Sequence, residues 1–99
     1  MAGFEWDPKK ESLNVKKHHF DFTTASQIWN GQIVEKIDNR RDYRETRVIA
    51  TGQADGSVLV VVYTRRGEKR RIISARKANS REKRLLEEEI TRRGRAPSD

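Results

Sequence analysis

The run Val58-Leu59-Val60-Val61-Val62-Tyr63 is apolar on both of its alternating faces, so as a strand it demands cover on both sides. That places it in the middle of a sheet. The other strand-like segments, Ile33 to Asp38, Glu45 to Gly52 and Glu68 to Ala75, are more polar and suit positions nearer an edge, while the central strand itself extends from Ser57 to Arg65. The separators are the polar loop Asn39 to Asp42, then Ala54-Asp55-Gly56, then Arg66-Gly67. These are turn residues at hairpin spacing, and an antiparallel four-strand meander is the natural topology.

Helices flank the meander. Phe4-Glu5-Trp6 reads as a short strand, and Asp7-Pro8 as a helix start, with Asp capping free amides and Pro tolerated in the first turn. This first helix runs to about His18. Asp21 caps a second, short helix in which Phe22, Ala25, Ile28 and Trp29 recur at the spacing of a buried stripe, closing near Asn30-Gly31, a pair tolerant of left-handed backbone. Asn79-Ser80-Arg81-Glu82 resembles a capping box and opens a final helix to about Ile90. On it Lys83 and Glu87, Arg84 and Glu88, and Glu88 and Arg92 stand at i, i+4, and Leu85, Leu86 and Ile90 form a narrow apolar strip. The expectation is an α+β fold with one domain over residues 1–91 and a flexible tail over 92–99.

The 99 residues carry a formal charge of +7, and the stretch Arg65 to Arg84 alone holds ten Lys/Arg against two acids. That local surplus exceeds the surplus of the whole chain, so the remainder is close to neutral. Charged strand edges can serve only to guard a sheet against aggregation, but mixed charge would do that equally well. A concentrated, arginine-rich surface instead favours a polyanion, and the planar guanidinium fork suits phosphate oxygens.

Several classes fall away. Without cysteine there are no disulfides and no thiolate metal sites, and the cytosol is the expected compartment. The longest apolar run is too short to cross a bilayer, and the first residues lack the hydrophobic segment of a secretion signal. There is no phosphate-binding or dinucleotide-binding glycine fingerprint and no nucleophile elbow.

Lys16, Lys17, His18 and His19 crowd the end of the first helix, where cations complement the helix dipole and where a histidine can act as acid or base. Adjacent histidines diverge and have no third ligand at metal spacing, so no metal or other cofactor is expected. Glu45 and Arg47 alternate onto one face of their strand, either as a surface ion pair or as a general base beside a phosphate clamp. By simple alternation Arg70, Ile72, Ser74 and Arg76 share one face of the last strand, and Arg71, Ile73, Ala75 and Lys77 the other. Tyr63 ends the central strand, where it can stack on a base or pack in the core.

Taken in order, Trp6-Asp7 with Lys10, Asn14 with Lys17-His18, Phe22 and Ala25, Asp42-Tyr43 with Glu45, Arg47 and Gly52, Val60-Val61-Val62-Tyr63-Thr64, and Arg71-Ile72-Ile73-Ser74-Ala75-Arg76-Lys77-Ala78 resemble the BrnT toxins of bacterial type II toxin-antitoxin modules. The resemblance implies a RelE/ParE-like fold and a ribonuclease that arrests translation and growth. It also implies an antitoxin of the BrnA type, with a ribbon-helix-helix domain, that blocks the toxin in a hetero-oligomer dimerised through the antitoxin and brings the complex to operator DNA. Two departures stand out: the family usually has Gly where this chain has His19 and Arg44. A bulky residue in a turn suited to left-handed glycine is strained.

The expected chemistry is metal-independent attack of a ribose 2′-OH on its neighbouring phosphate. His18 or Glu45 is the base, Arg47, Arg71 and Arg76 clamp the phosphate, and Lys17 or Lys77 adds electrostatic support. Arg70, Lys77 and Arg81, with Tyr63 stacking or positioning, are expected to hold the RNA. The competing readings are a non-catalytic nucleic-acid-binding module and a gyrase-inhibiting toxin of the same fold.

Overall fold

The computed structural model describes residues 3–94. It contains β1 (Phe4–Trp6), α1 (Pro8–His18), α2 (Phe22–Ser26) continued by a 3₁₀ turn (Gln27–Asn30), β2 (Val34–Ile37), β3 (Arg47–Ala54), β4 (Ser57–Arg66), β5 (Lys69–Lys77) and α3 (Ser80–Gly94). The sheet order is β1-β5-β4-β3-β2. β4 is therefore central, and the four later strands form the expected antiparallel meander. β1 adds a fifth strand, parallel to β5, with Glu5 opposite Arg71.

Caps and turns follow local chemistry. The Asp7 and Asp21 carboxylates accept from the backbone N–H of Lys9 and Thr24, and at α3 Asn79 and Glu82 exchange reciprocal side-chain-to-backbone bonds of 2.8 and 2.9 Å. Asp55 and Gly56, both at positive φ, make the two-residue turn between β3 and β4. Gly31, by contrast, is extended, because the second helix tightens into a 3₁₀ turn rather than ending in a left-handed cap. α3 continues through Arg92 and Arg93 to Gly94. The rest of the expected tail, 95–99, lies outside the described residues. Glu89 pairs with Arg92 and Arg93, so the ion pairs anticipated at Glu87 and Glu88 are not the ones formed among the described residues.

The core lies between the rear face of the sheet and α2 with its 3₁₀ turn. Leu59, Val61 and Tyr63 of β4 and Ala50 and Ala54 of β3 pack there against Phe22, Ala25 and Ile28. Gly52 lies under the 3₁₀ turn, where a Cβ would come within 2.9 Å of both Ile28 and Ile33, so only glycine allows this approach. On the front face α3 docks through Leu86, which is 1% exposed, while Leu85 stays 51% exposed. The helix thus covers only part of that face and leaves the rest open. No helix among the described residues is long and apolar enough to cross a membrane.

β5 contains an extra residue. Val62 pairs with Ser74 but Tyr63 pairs with Ile72, leaving Ile73 unmatched as a β-bulge. Simple alternation therefore fails within this strand. Downstream of the bulge Ser74 and Arg76 face front, as Arg71 does upstream, whereas Arg70, Ile72, Ala75 and Lys77 face the rear. The two face sets expected from the sequence are recombined for this reason.

α1 closes the edge of β5 beyond the short β1. The Asn14 side chain, 6% exposed, donates to the carbonyls of Ala75 and Phe20 at 2.9 Å and accepts from the Ala75 N–H at 3.0 Å. A single carboxamide here substitutes for a strand neighbour.

Besides Asp55, the left-handed non-glycine positions are His19 (φ 68°), the cap of α1, and Arg44 (φ 59°), in the loop before β3. Both turns keep a glycine-like backbone with a bulky side chain in place. His19→Gly and Arg44→Gly are each expected to stabilise the fold by about 1 kcal/mol, since L residues carry that order of penalty in this region. The readout is a midpoint of thermal unfolding raised by several degrees. An unchanged or lower midpoint would show that the side chains compensate the strain.

Candidate functional site

The open part of the front face is laid out by strand register. Arg47 on β3, Thr64 on β4, Arg71 on β5 and Glu5 on β1 form one row across four strands. Ile49, Val62 and Ser74 form the next row, and Val60 with Arg76 the one after it. Rows on one face are separated by about 7 Å and strands by about 5 Å. Arginine side chains from the outer rows can therefore reach over the Ile49, Val62 and Ser74 floor, whose Ile49 end borders Leu85 and Leu86 of α3.

Each of these arginines is held by a carboxylate. Arg47 Nε donates to Glu45 at 3.1 Å, Arg71 to Glu5 at 2.7 Å, and Arg76 to Glu82 through two bonds of 2.7 and 2.8 Å. Arg66 also lies 3.9 Å from Glu45. The acids scarce within the basic stretch come largely from β1 and the β3 approach, brought in by the fold. Glu82 serves twice, capping α3 and orienting Arg76. Its hydrogen bonds to Arg76 push its pKa down to about 2, burial opposing.

His18, at the end of α1, borders a shallow cleft with Lys10, Leu13, Asn14, Lys17, Ile73 and Ser74. Burial lowers its pKa below the ordinary 6.5, and the charges of Lys17, Arg76 and His19 lower it further. At neutral pH it is a neutral imidazole, able to accept a proton. His18 and Lys17 thus lie on the β5 side of the floor, and Glu45 and Arg47 on the β3 side.

The loop before β3 supplies residues that sequence patterning did not single out. Asp38 is buried, with its carboxylate accepting from the Arg40 N–H and guanidinium and from the Tyr43 hydroxyl. The Arg40 hydrogen bonds hold its pKa far below the usual carboxylate range. The Tyr43 ring lies 4.0 Å from the Arg47 guanidinium, a cation–π contact. The only sequence signals were an Asp ending a strand-like segment and a Tyr within the family-like segment.

The remaining expected residues lie elsewhere. Tyr63 is 3% exposed on the rear face, edge-on to Trp29, with its hydroxyl donating to Glu35. Arg70 is also at the rear, its guanidinium 4.9 Å from Trp29 and within 6 Å of Phe4 and Tyr63. Lys77 leaves the rear side of β5, and Arg81 is exposed on the first turn of α3. The structure brings Arg47, Arg71 and Arg76 to one face with Glu45 and His18 on its flanks, and separates Tyr63, Arg70 and Lys77 from them.

Two strongly depressed carboxylates predict how stability responds to acid. Asp38 and Glu82 ionise more readily folded than unfolded, so their contribution is complete above their unfolded pKa values, near 4. It is lost as pH falls through the folded values. Denaturant titrations between pH 5 and pH 2 should show stability falling steadily, and Glu82→Gln should flatten that fall. An unaltered slope would remove Glu82 as a source.

No curated protein matches the chain. Among solved structures, the crystal structure of the Brucella abortus ribonuclease toxin BrnT is similar over 81% of this chain and 100% of that one, with a TM-score of 0.60 and 23% identity, a likeness of fold. Residues 6–82 match the model of the family described as "Ribonuclease toxin, BrnT, of type II toxin-antitoxin system". That span runs from Trp6 through the arginine rows to Glu82, and by it this chain belongs to the BrnT family of ribonuclease toxins.

Proposed function

We propose that the chain is a metal-independent endoribonuclease whose cleavage of RNA arrests translation and growth in the bacterial cytoplasm. The observation that carries this reading is the placement of Arg47, Arg71 and Arg76 on one open face around Ser74 and Val62, with proton-accepting groups on two opposite flanks. In the reaction, the 2′-oxygen forms a bond to phosphorus while the bond to the 5′-oxygen breaks. The base takes the 2′-hydroxyl proton, and a second proton reaches the departing 5′-oxygen. The products are a 2′,3′-cyclic phosphate and a 5′-hydroxyl.

The guanidinium groups stabilise the charge that builds on the equatorial oxygens. Their carboxylate partners bear on the choice between cleavage and mere binding. A surface that only holds a polyanion gains from uncompensated charge. Pairing each arginine sacrifices some of that attraction but fixes the direction of its donors, which benefits a transition state more than a ground state. Lys17 adds positive potential beside His18, and Arg81 lies where an RNA strand leaving the face would pass the start of α3.

The base is His18 or Glu45. If it is His18, the rate rises with pH through a value below 6.5 and His18→Gln removes that limb; if the limb survives, Glu45 is the acceptor. The antitoxin is a BrnA-like ribbon-helix-helix protein that covers this face, dimerises the complex and carries it to operator DNA.

The test is incubation of the purified protein with a defined RNA in chelator, followed by end-group analysis. Cyclic phosphate ends are expected. Intact RNA with folded protein, or cleavage only on adding a divalent ion, would overturn the mechanism.

A further inference from the structure

The loop between β2 and β3 is built around one carboxylate. Asp38 Oδ1 accepts from the Arg40 N–H at 3.1 Å and Nε at 2.8 Å, and Oδ2 accepts from the second guanidinium nitrogen at 2.8 Å and from the Tyr43 hydroxyl at 3.0 Å. The Asp38 side chain is wholly buried. Its own N–H donates to the Arg47 carbonyl at 2.8 Å, so the same residue also begins the pairing of β2 with β3. Four donors on a buried carboxylate define the loop more tightly than an exposed loop needs.

What this arrangement fixes is the place of the Tyr43 ring. Held at its hydroxyl end by Asp38, the ring presents its face to the Arg47 guanidinium at 4.0 Å, and Glu45 meets the same guanidinium from another side at 3.1 Å. An arginine side chain has several rotatable bonds and, on an open face, samples many positions. Here its head is caught between a ring face and a carboxylate, both carried by the segment that leads into β3.

We propose that Tyr43 is a positioning residue for RNA cleavage, stationing the Arg47 guanidinium where the scissile phosphate lodges, with Asp38 as the anchor of its ring. The inference rests on the ribonuclease reading above and deepens it. Tyr43 acts through Arg47, without touching the reacting atoms. The contribution belongs to the transition state, because a guanidinium that must be re-found in each turnover binds RNA nearly as well but stabilises developing charge less often.

The experiment compares the full-length wild type with Tyr43→Phe and Tyr43→Leu, alone and with Arg47→Ala, each checked for folding by thermal unfolding. Tyr43→Leu should lower kcat roughly ten- to a hundredfold, the scale of a misplaced group, with KM changed less than about threefold. Tyr43→Phe keeps the ring but loses the hydroxyl bond to Asp38, and should fall between Tyr43→Leu and wild type. In the Arg47→Ala background Tyr43→Leu should cost nothing more, since both act as one unit. A second readout does not require turnover. The Arg47 Nε–H proton should show a ring-current shift in wild type that is reduced in Tyr43→Phe and disappears in Tyr43→Leu.

An unchanged kcat in folded Tyr43→Leu, a full additional loss in the Arg47→Ala background, or an equal loss in Tyr43→Phe would each overturn the proposal. Absence of cleavage by the wild type would instead overturn the ribonuclease reading. The ring-current shift then still decides whether Tyr43 holds Arg47 in place.

Discussion

Replacing Arg47 with alanine is expected to slow RNA cleavage about 10²- to 10³-fold, the loss typical of removing one oriented donor from an oxyanion site. The arginine stands in the same row as Arg71, with only Thr64 between them, so a phosphodiester over the adjoining floor is gripped from two strands. Removing one side leaves the other, and binding should survive in part while the rate collapses. Arg47→Lys separates charge from geometry. A lysine restores a positive charge but neither the planar fork nor the flat contact with Tyr43, and should recover only a small part of the rate. Single-turnover cleavage of a short labelled RNA measures both variants. A rate for Arg47→Ala within threefold of wild type would place the phosphate elsewhere on the face.

The second large effect concerns stability. Asn14→Ala strips the Ala75 N–H and the Ala75 and Phe20 carbonyls of their partner at a site that water reaches poorly. A buried polar group left unpaired costs about 1–3 kcal/mol. With partial rescue by solvent at Phe20, the net loss should be about 3 kcal/mol. For a domain of this size that corresponds to a midpoint of thermal unfolding lower by about 10–20 °C. Asn14→Asp is the informative companion. It keeps the acceptor for the Ala75 N–H but turns the donor toward two carbonyls into a second acceptor, so it should destabilise despite its similar shape. If both variants melt within a few degrees of wild type, α1 does not depend on this link to hold the β5 edge.

The sequence made the frame of the fold legible because its signals were local. An apolar run on both faces marked β4 as central, Asp-Gly marked the β3–β4 turn, and Asn79 with Glu82 marked the start of α3. The two absent glycines also pointed to real backbone constraints, since His19 and Arg44 both have positive φ. The site was less legible because it depends on non-local pairing. Alternation counts residues, and Ile73 adds one that only the ladder with β4 reveals, so the partition of the β5 arginines could not be read from spacing. Tyr63 sits at the end of an apolar run and is compatible with either face until Trp29 is brought against it. Tyr43 and Asp38 lie in a polar loop whose order comes from one buried carboxylate. The apparent shortage of acids around the arginines had the same origin, because Glu5 and Glu45 are distant in the chain from the β5 arginines and adjacent in the sheet.

The surplus residue in β5 has a consequence for chain length. A chain shorter by one position between Arg71 and Arg76 would still present both guanidiniums on the same side, as an uninterrupted strand, and would forfeit only the kink through which Ile73 reaches α1. Loss of one residue is therefore least harmful to the placement of these two arginines at this point, where substitution scans, which never change the count, cannot detect the tolerance.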